Sequence, residues 1–159
     1  LCETLAKEER VFVHRDFHSR NLMLREKDLM LIDFQDARMG PRQYDLVSLL
    51  KDSYVVLEEE TRNELLSYYL QRMEQEEGRQ LTHSSFLKIF DYMSIQRNLK
   101  AIGTFAFQHV EHKNERYIEY IDPTLQYIRD TLHSRPDLEP LGQALKQAIP
   151  GLNTGVSRP

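Results

Sequence analysis

The feature that most limits how this chain can fold is a change of hydrophobic period at Gly40-Pro41. Before that point apolar residues come in short runs broken by polar clusters. After it they recur at three- and four-residue steps, the spacing of one helix face. A small β part followed by a helical body is the expected order. Val11-Phe12-Val13 follows the charged stretch Lys7-Glu8-Glu9-Arg10 and reads as a brief strand entering the polar cluster His14-Arg15-Asp16. Asn21-Leu22-Met23-Leu24 and Leu29-Met30-Leu31-Ile32 are separated by Arg25-Glu26-Lys27-Asp28, which has the length and polarity of a hairpin connection. Gly40-Pro41 itself reads as a turn.

Beyond the turn, Leu46, Val47, Leu50, Tyr54 and Leu57 form one apolar stripe, predicting a helix over residues 43–57. Thr61-Arg62-Asn63-Glu64 has capping-box spacing and Gly78 suits the far end, so a second helix is expected to turn Leu65, Tyr69 and Met73 inward. A longer helix over residues 84–109 places Phe86, Phe90, Met93, Ile102 and Phe105 on one side. Asp122-Pro123 reads as a cap and first helical position, opening a helix with Leu125, Ile128 and Leu132 on its stripe. A short helix fits between Pro136 and Pro150, and residues 151–159 read as a flexible tail.

Composition sets the class. The chain has 159 residues, 40% apolar and 29% charged, which fits one globular domain. A single cysteine, Cys2, cannot form an internal disulfide, and no CxxC pair is present for zinc, so a cytoplasmic setting fits. The net charge of -4 and the absence of a Lys/Arg stripe argue against a nucleic-acid partner. No apolar run approaches the ~18 residues of a membrane helix, and no signal pattern opens the chain. Residues 1–10 read as the last turns of a helix whose beginning is missing, so the chain is expected to be a fragment.

The chemistry concentrates in twenty residues. His14-Arg15-Asp16, Asn21 and Asp33-Phe34 follow the pattern H-R-D-x-x-x-x-N, then a strand, then D-F, which matches a kinase catalytic loop and its metal-binding partner. Phosphoryl transfer has a loose transition state, so a protein mainly places the nucleophile and neutralises phosphate charge with magnesium. Asp16 is expected to face the acceptor hydroxyl and take its proton. Asp33 is expected to hold Mg²⁺, with Asn21 adding an amide oxygen and no further charge. The plainer reading is a polar loop beside a hairpin, with Asp33 a turn residue. His14 reads better as a hydrogen-bond hub than as a proton carrier. Arg15 and Arg20 each read as partners of neighbouring carboxylates, and Arg20 equally as a phosphate contact. His109 and His112 read as helix-end residues, because no third metal ligand has a matching spacing.

Three departures from the protein-kinase pattern point to a small acceptor. His18 stands where a lysine is usual, Gln35 replaces the glycine of D-F-G, and too few residues separate Asp33 from Asp45 to build a peptide-docking platform. With these residues the chain resembles the catalytic lobe of the aminoglycoside phosphotransferase-like kinases. The stretches from His14 to Met23, Ile32 to Ala37, Gly40 to Leu50 and Gln96 to Gly103 are especially similar to bacterial anomeric kinases of N-acetylmuramate and N-acetylglucosamine. The resemblance covers much of residues 11–120.

It implies a mainly α fold with a small β-hairpin: the C-terminal, helical lobe of a protein-kinase-like fold over residues 1–150, with the N-terminal lobe absent. It further implies ATP as phosphoryl donor, Mg²⁺ on Asn21 and Asp33, Asp16 as base, and Asp45 as a buried anchor for the loop backbone. The parent protein is then expected to be an ATP-dependent sugar kinase acting on an amino sugar, and this chain alone to turn over little. An antibiotic or amino-alcohol phosphotransferase and a non-catalytic interaction module are the competing readings.

Overall fold

The computed structural model describes residues 1–78 and 82–154. It is mostly helical, with two small antiparallel sheets. The chain divides into two compact units, Leu1–Met93 and Ser94–Pro159, and the long helix α4 (His83–His112) passes from one into the other.

In the first unit a short helix α1 (Cys2–Ala6) leads into strand β1 (Arg10–Val13). Strands β2 (Leu22–Arg25) and β3 (Asp28–Leu31) form the expected hairpin, with Arg25 paired to Asp28, so its connection is only Glu26-Lys27. A second ribbon was not legible. Strand β4 (Arg38–Pro41) pairs antiparallel with β1, and the Gly40-Pro41 turn signal lies inside that strand. Gly40 is needed there for proximity, since a Cβ would sit 2.7 Å from Cγ2 of the buried Val13.

Helix α2 (Gln43–Leu50) ends seven residues before its predicted limit. Apolar spacing continues to Leu57, but the buried Asp52 captures the backbone N–H of Tyr54 and forces a turn. Helix α3 (Glu59–Glu77) has Glu58 as its N-cap, which places Thr61 inside the first turn and not at the cap. Its buried residues are Leu70 and Met73; of the predicted inward stripe Met73 is buried and Tyr69 half-buried, while Leu65 is exposed. Gly78 closes α3 in the left-handed conformation, φ 61°, donating its N–H to the Glu74 carbonyl. In the first unit α4 buries Phe86, Ile89, Phe90, Tyr92 and Met93.

In the second unit α4 buries Ile95 and Phe105, and Phe105 stacks on Tyr117 of the 3-10 turn Glu115–Tyr120. Helix α5 (Ile121–Ser134) buries Leu125, Ile128 and Leu132 as expected, but its cap is Tyr120, so Asp122 falls in the first turn and pairs with Arg129. Helix α6 (Glu139–Ala148) fills the space between Pro136 and Pro150. The flexible tail read from residue 151 does not start there: Pro150–Leu152 is a 3-10 turn, Leu152 is buried, and Arg129 donates to the Gly151 carbonyl. Residues 155–159 of that tail lie outside the described residues.

Candidate active site

The site is built within the first unit, on the loop from β1 to β2. The loop carries an unusual backbone: Arg15 has φ 77°, a conformation that costs a non-glycine residue about 1–2 kcal/mol. Asp45, in the first turn of α2, holds it. Its Oδ2 accepts from the His14 N–H at 2.6 Å and its Oδ1 from the Arg15 N–H at 2.9 Å. Hydrogen bonds to a charged acceptor contribute about 1.5–3 kcal/mol each, enough together to offset the strain.

The far half of the loop is held by Asp52, just past the end of α2. Its Oδ2 accepts from the Ser19 N–H at 2.8 Å and its Oδ1 from the Tyr54 N–H at 2.8 Å. Sequence reading missed this residue, because the apolar spacing around it placed it inside a continuing helix. No local signal marked it, because on the predicted helix Asp52 falls on the face opposite the apolar stripe, where an acidic residue is ordinary.

Asn21 ends the loop in a 3-10 turn, Ser19–Asn21, and is buried. Its side-chain Nδ2 donates to the Asp16 carbonyl at 2.8 Å, and its backbone carbonyl accepts from the Ile32 N–H at 3.1 Å. From the other direction His14 Nε2 meets the Ile32 carbonyl at 3.0 Å. A carbonyl only accepts, so Nε2 carries the hydrogen. Ile32 is therefore tied to both ends of the loop through both of its backbone polar groups, and Asp33 is the next residue. Asp33 also has a positive φ, 68°, which aspartate tolerates better than most. Gln35 Nε2 donates to Asp33 Oδ1.

The structure thus connects Asp16, Asn21 and Asp33 through the backbone. Among the described residues no side chain hydrogen-bonds or ion-pairs with the Asp16 carboxylate, and none donates to Asn21 Oδ1. The loop has two sides. Arg15 faces the Asp36 side, with its Nη1 3.3 Å from the Asp36 carbonyl and 4.0 Å from its carboxylate. Arg20 and His18 face Tyr54: the Arg20 guanidinium carbon lies 3.8 Å from the ring centre, and the His18 ring meets it edge-on at 5.2 Å. His109 and His112 fall in the last turn of α4, and the described residues hold no group of three His, Cys, Asp or Glu side chains suited to a metal.

The model of the APH phosphotransferase enzyme family matches residues 2–81, half of the chain and the segment that holds this site. The chain belongs to the phosphotransferase enzyme family. It is 35% identical over 151 residues to an N-acetylmuramate/N-acetylglucosamine kinase of Neisseria meningitidis serogroup B, covering 94% of itself and 45% of the relative. A kinase of the same name from Pseudomonas aeruginosa is 36% identical, with 91% and 44% covered. One from Pseudomonas putida is 32% identical, with 95% and 45% covered. The chain therefore spans about half the length of the curated relatives it matches.

Proposed function

We propose that residues 1–150 form the catalytic, helical lobe of a protein-kinase-like, ATP-dependent small-molecule phosphotransferase working in the cytoplasm. Its acceptor is an amino sugar, N-acetylmuramate or N-acetylglucosamine, phosphorylated at the anomeric hydroxyl. The observation that carries this reading is the double tie on Ile32, which fixes Asp33 against the loop that bears Asp16 and Asn21. Family membership supports the reaction class, and the names of the relatives support the acceptor.

Each residue has a role that follows from its surroundings. The Asp16 carboxylate, with no protein partner among the described residues, accepts the hydrogen bond of the acceptor hydroxyl and takes its proton as the acceptor oxygen bonds to the γ-phosphorus of ATP and the bond from that phosphorus to the departing ADP breaks. An anomeric hydroxyl is more acidic than an ordinary alcohol, so a carboxylate base has less to overcome. Asn21 Oδ1 and the Asp33 carboxylate are hard oxygen donors of the kind Mg²⁺ takes, and these two residues would hold it. When bound there, the ion supplies charge neutralisation for the phosphates. His14 and Asp45 act as supports, His14 on the Ile32 carbonyl and Asp45 on the loop backbone.

The test is to incubate the full protein that carries this chain with ATP, magnesium and a panel of amino sugars and aminoglycosides, and to locate the phosphate by NMR. Transfer to the anomeric oxygen of an amino sugar is expected, and Asp16→Asn is expected to fold normally and to lower kcat by about 10²–10⁴-fold. Transfer to an aminoglycoside alone, or unchanged turnover in the variant, overturns the reading.

A further inference from the structure

We infer that Asp52 is a positioning residue for the proposed magnesium site: by fixing the start of the Ser19–Asn21 turn it aims the Asn21 side chain, and so sets the affinity for the ion. The inference rests on the proposed role of Asn21 as a magnesium ligand and adds to it the residue that holds that ligand in place.

The two oxygens of Asp52 do different work. Oδ1 accepts from the Tyr54 N–H, two residues on, and makes a local turn. An exposed aspartate or asparagine serves such a turn equally well with one oxygen. Asp52 is instead buried, and removing a carboxylate from water is costly unless hydrogen bonds repay it. Burial gives the second oxygen its reach. Oδ2 accepts at 2.8 Å from the N–H of Ser19, thirty-three positions earlier in the chain.

Ser19 opens the three-residue 3-10 turn that ends in Asn21. A single turn of this kind has poor hydrogen-bond geometry and does not fix its own position. Inside it the Asn21 N–H reaches the His18 carbonyl at 2.9 Å, and the Leu22 N–H reaches the Ser19 carbonyl. A displacement of Ser19 is therefore passed to Asn21 within one turn. Asp45 cannot take over this task, because its oxygens meet the His14 and Arg15 N–H groups at the other end of the loop.

Asn21 is itself closely held. Its Nδ2 donates to the Asp16 carbonyl at 2.8 Å, and that carbonyl also accepts from the His18 N–H at 3.1 Å. No group among the described residues donates to Asn21 Oδ1, which leaves that oxygen as the end of the amide open to a cation. Mg²⁺ demands near-ideal octahedral geometry, so a small shift of one ligand weakens it. Groups that orient a ligand from behind typically change metal affinity about 10–100-fold when lost. Asp52 acts through the backbone of the turn, which places its effect at the low end of that range.

The experiment titrates Mg²⁺ into the full protein and follows binding of AMPPNP, a non-hydrolysable ATP analogue, by calorimetry. The Mg²⁺ concentration that gives half of the gain in AMPPNP affinity is expected to rise about tenfold in Asp52→Asn, which keeps the shape and loses one acceptor. Ser19→Pro removes only the N–H and should act in the same direction. Proline suits the first position of a helical turn, and the extended His18 before it, φ -135° and ψ 169°, accepts a following proline. AMPPNP affinity without Mg²⁺ should stay within about twofold of the parent in both variants, and Asp52→Asn added to Asn21→Ala should shift the half-point by less than about twofold. A half-point unchanged in a folded variant, an equal loss with and without Mg²⁺, or the same rise whether or not Asn21 is present overturns the inference. So does failure of both variants to fold, which would make the contact one of folding alone. A parent whose AMPPNP affinity ignores Mg²⁺, or an Asn21→Ala variant with an unchanged half-point, overturns the magnesium role of Asn21, and the inference with it.

Discussion

Asp45 and Asp52 show how two carboxylates at opposite ends of one short helix can fix a loop. Each receives two backbone N–H groups, and each belongs to a different half of the turn from His14 to Asn21. Removing Asp52 strands two donors and empties a buried position. Asp52→Ala is therefore expected to lower stability by about 3 kcal/mol, read as a drop in the denaturant midpoint. Tyr69 offers a pH-dependent test. Burial raises its pKa above the ordinary 10, against the lowering effect of Arg42, with Glu77 and Asp45 adding to the rise. A folded-state pKa above the unfolded one gives stability that is complete below about pH 10 and is lost as the pH rises through the folded value. Tyr69→Phe has no proton to lose there, so its stability should fall less than the parent's above pH 10, measured by thermal melts across the alkaline range.

The elements end where single positions allow it, and two positive-φ residues make opposite predictions. Gly78 terminates α3 at φ 61° with open space around a would-be Cβ, so Gly78→Ala meets no clash and still costs about 1–2 kcal/mol from the backbone alone. Glu26, in the two-residue connection of the β2–β3 hairpin, has φ 57° without the freedom of glycine. Glu26→Gly is expected to stabilise the chain by a few tenths to about 1 kcal/mol, with its melting temperature rising accordingly. The start of α2 is fixed by charge: Arg42 bridges Glu77 at the end of α3 and Glu9 ahead of β1. This places Asp45, three residues on, where it meets the loop backbone.

At the scale of the whole molecule, the chain spans 45% of the Neisseria relative, and the residues proposed as base and metal ligands, Asp16, Asn21 and Asp33, lie within one stretch of eighteen residues. The hairpin leaves Leu24 74% and Leu29 66% exposed, so replacing both with lysine should raise the solubility of the isolated chain. The sequence by itself determined the hairpin, the stripes of α4 and α5, the glycine end of α3 and the loop motif, because each is written in near neighbours at a fixed spacing. Tertiary structure alone decided the β1–β4 ribbon, the early end of α2, the exposure of Leu65 on α3 and the place of Tyr54 under Arg20. The ribbon, the Asp52 turn and the Arg20–Tyr54 stack join residues 25 to 34 positions apart, such as Ser19 with Asp52 or Val13 with Gly40, and local periodicity carries no term for so distant a contact.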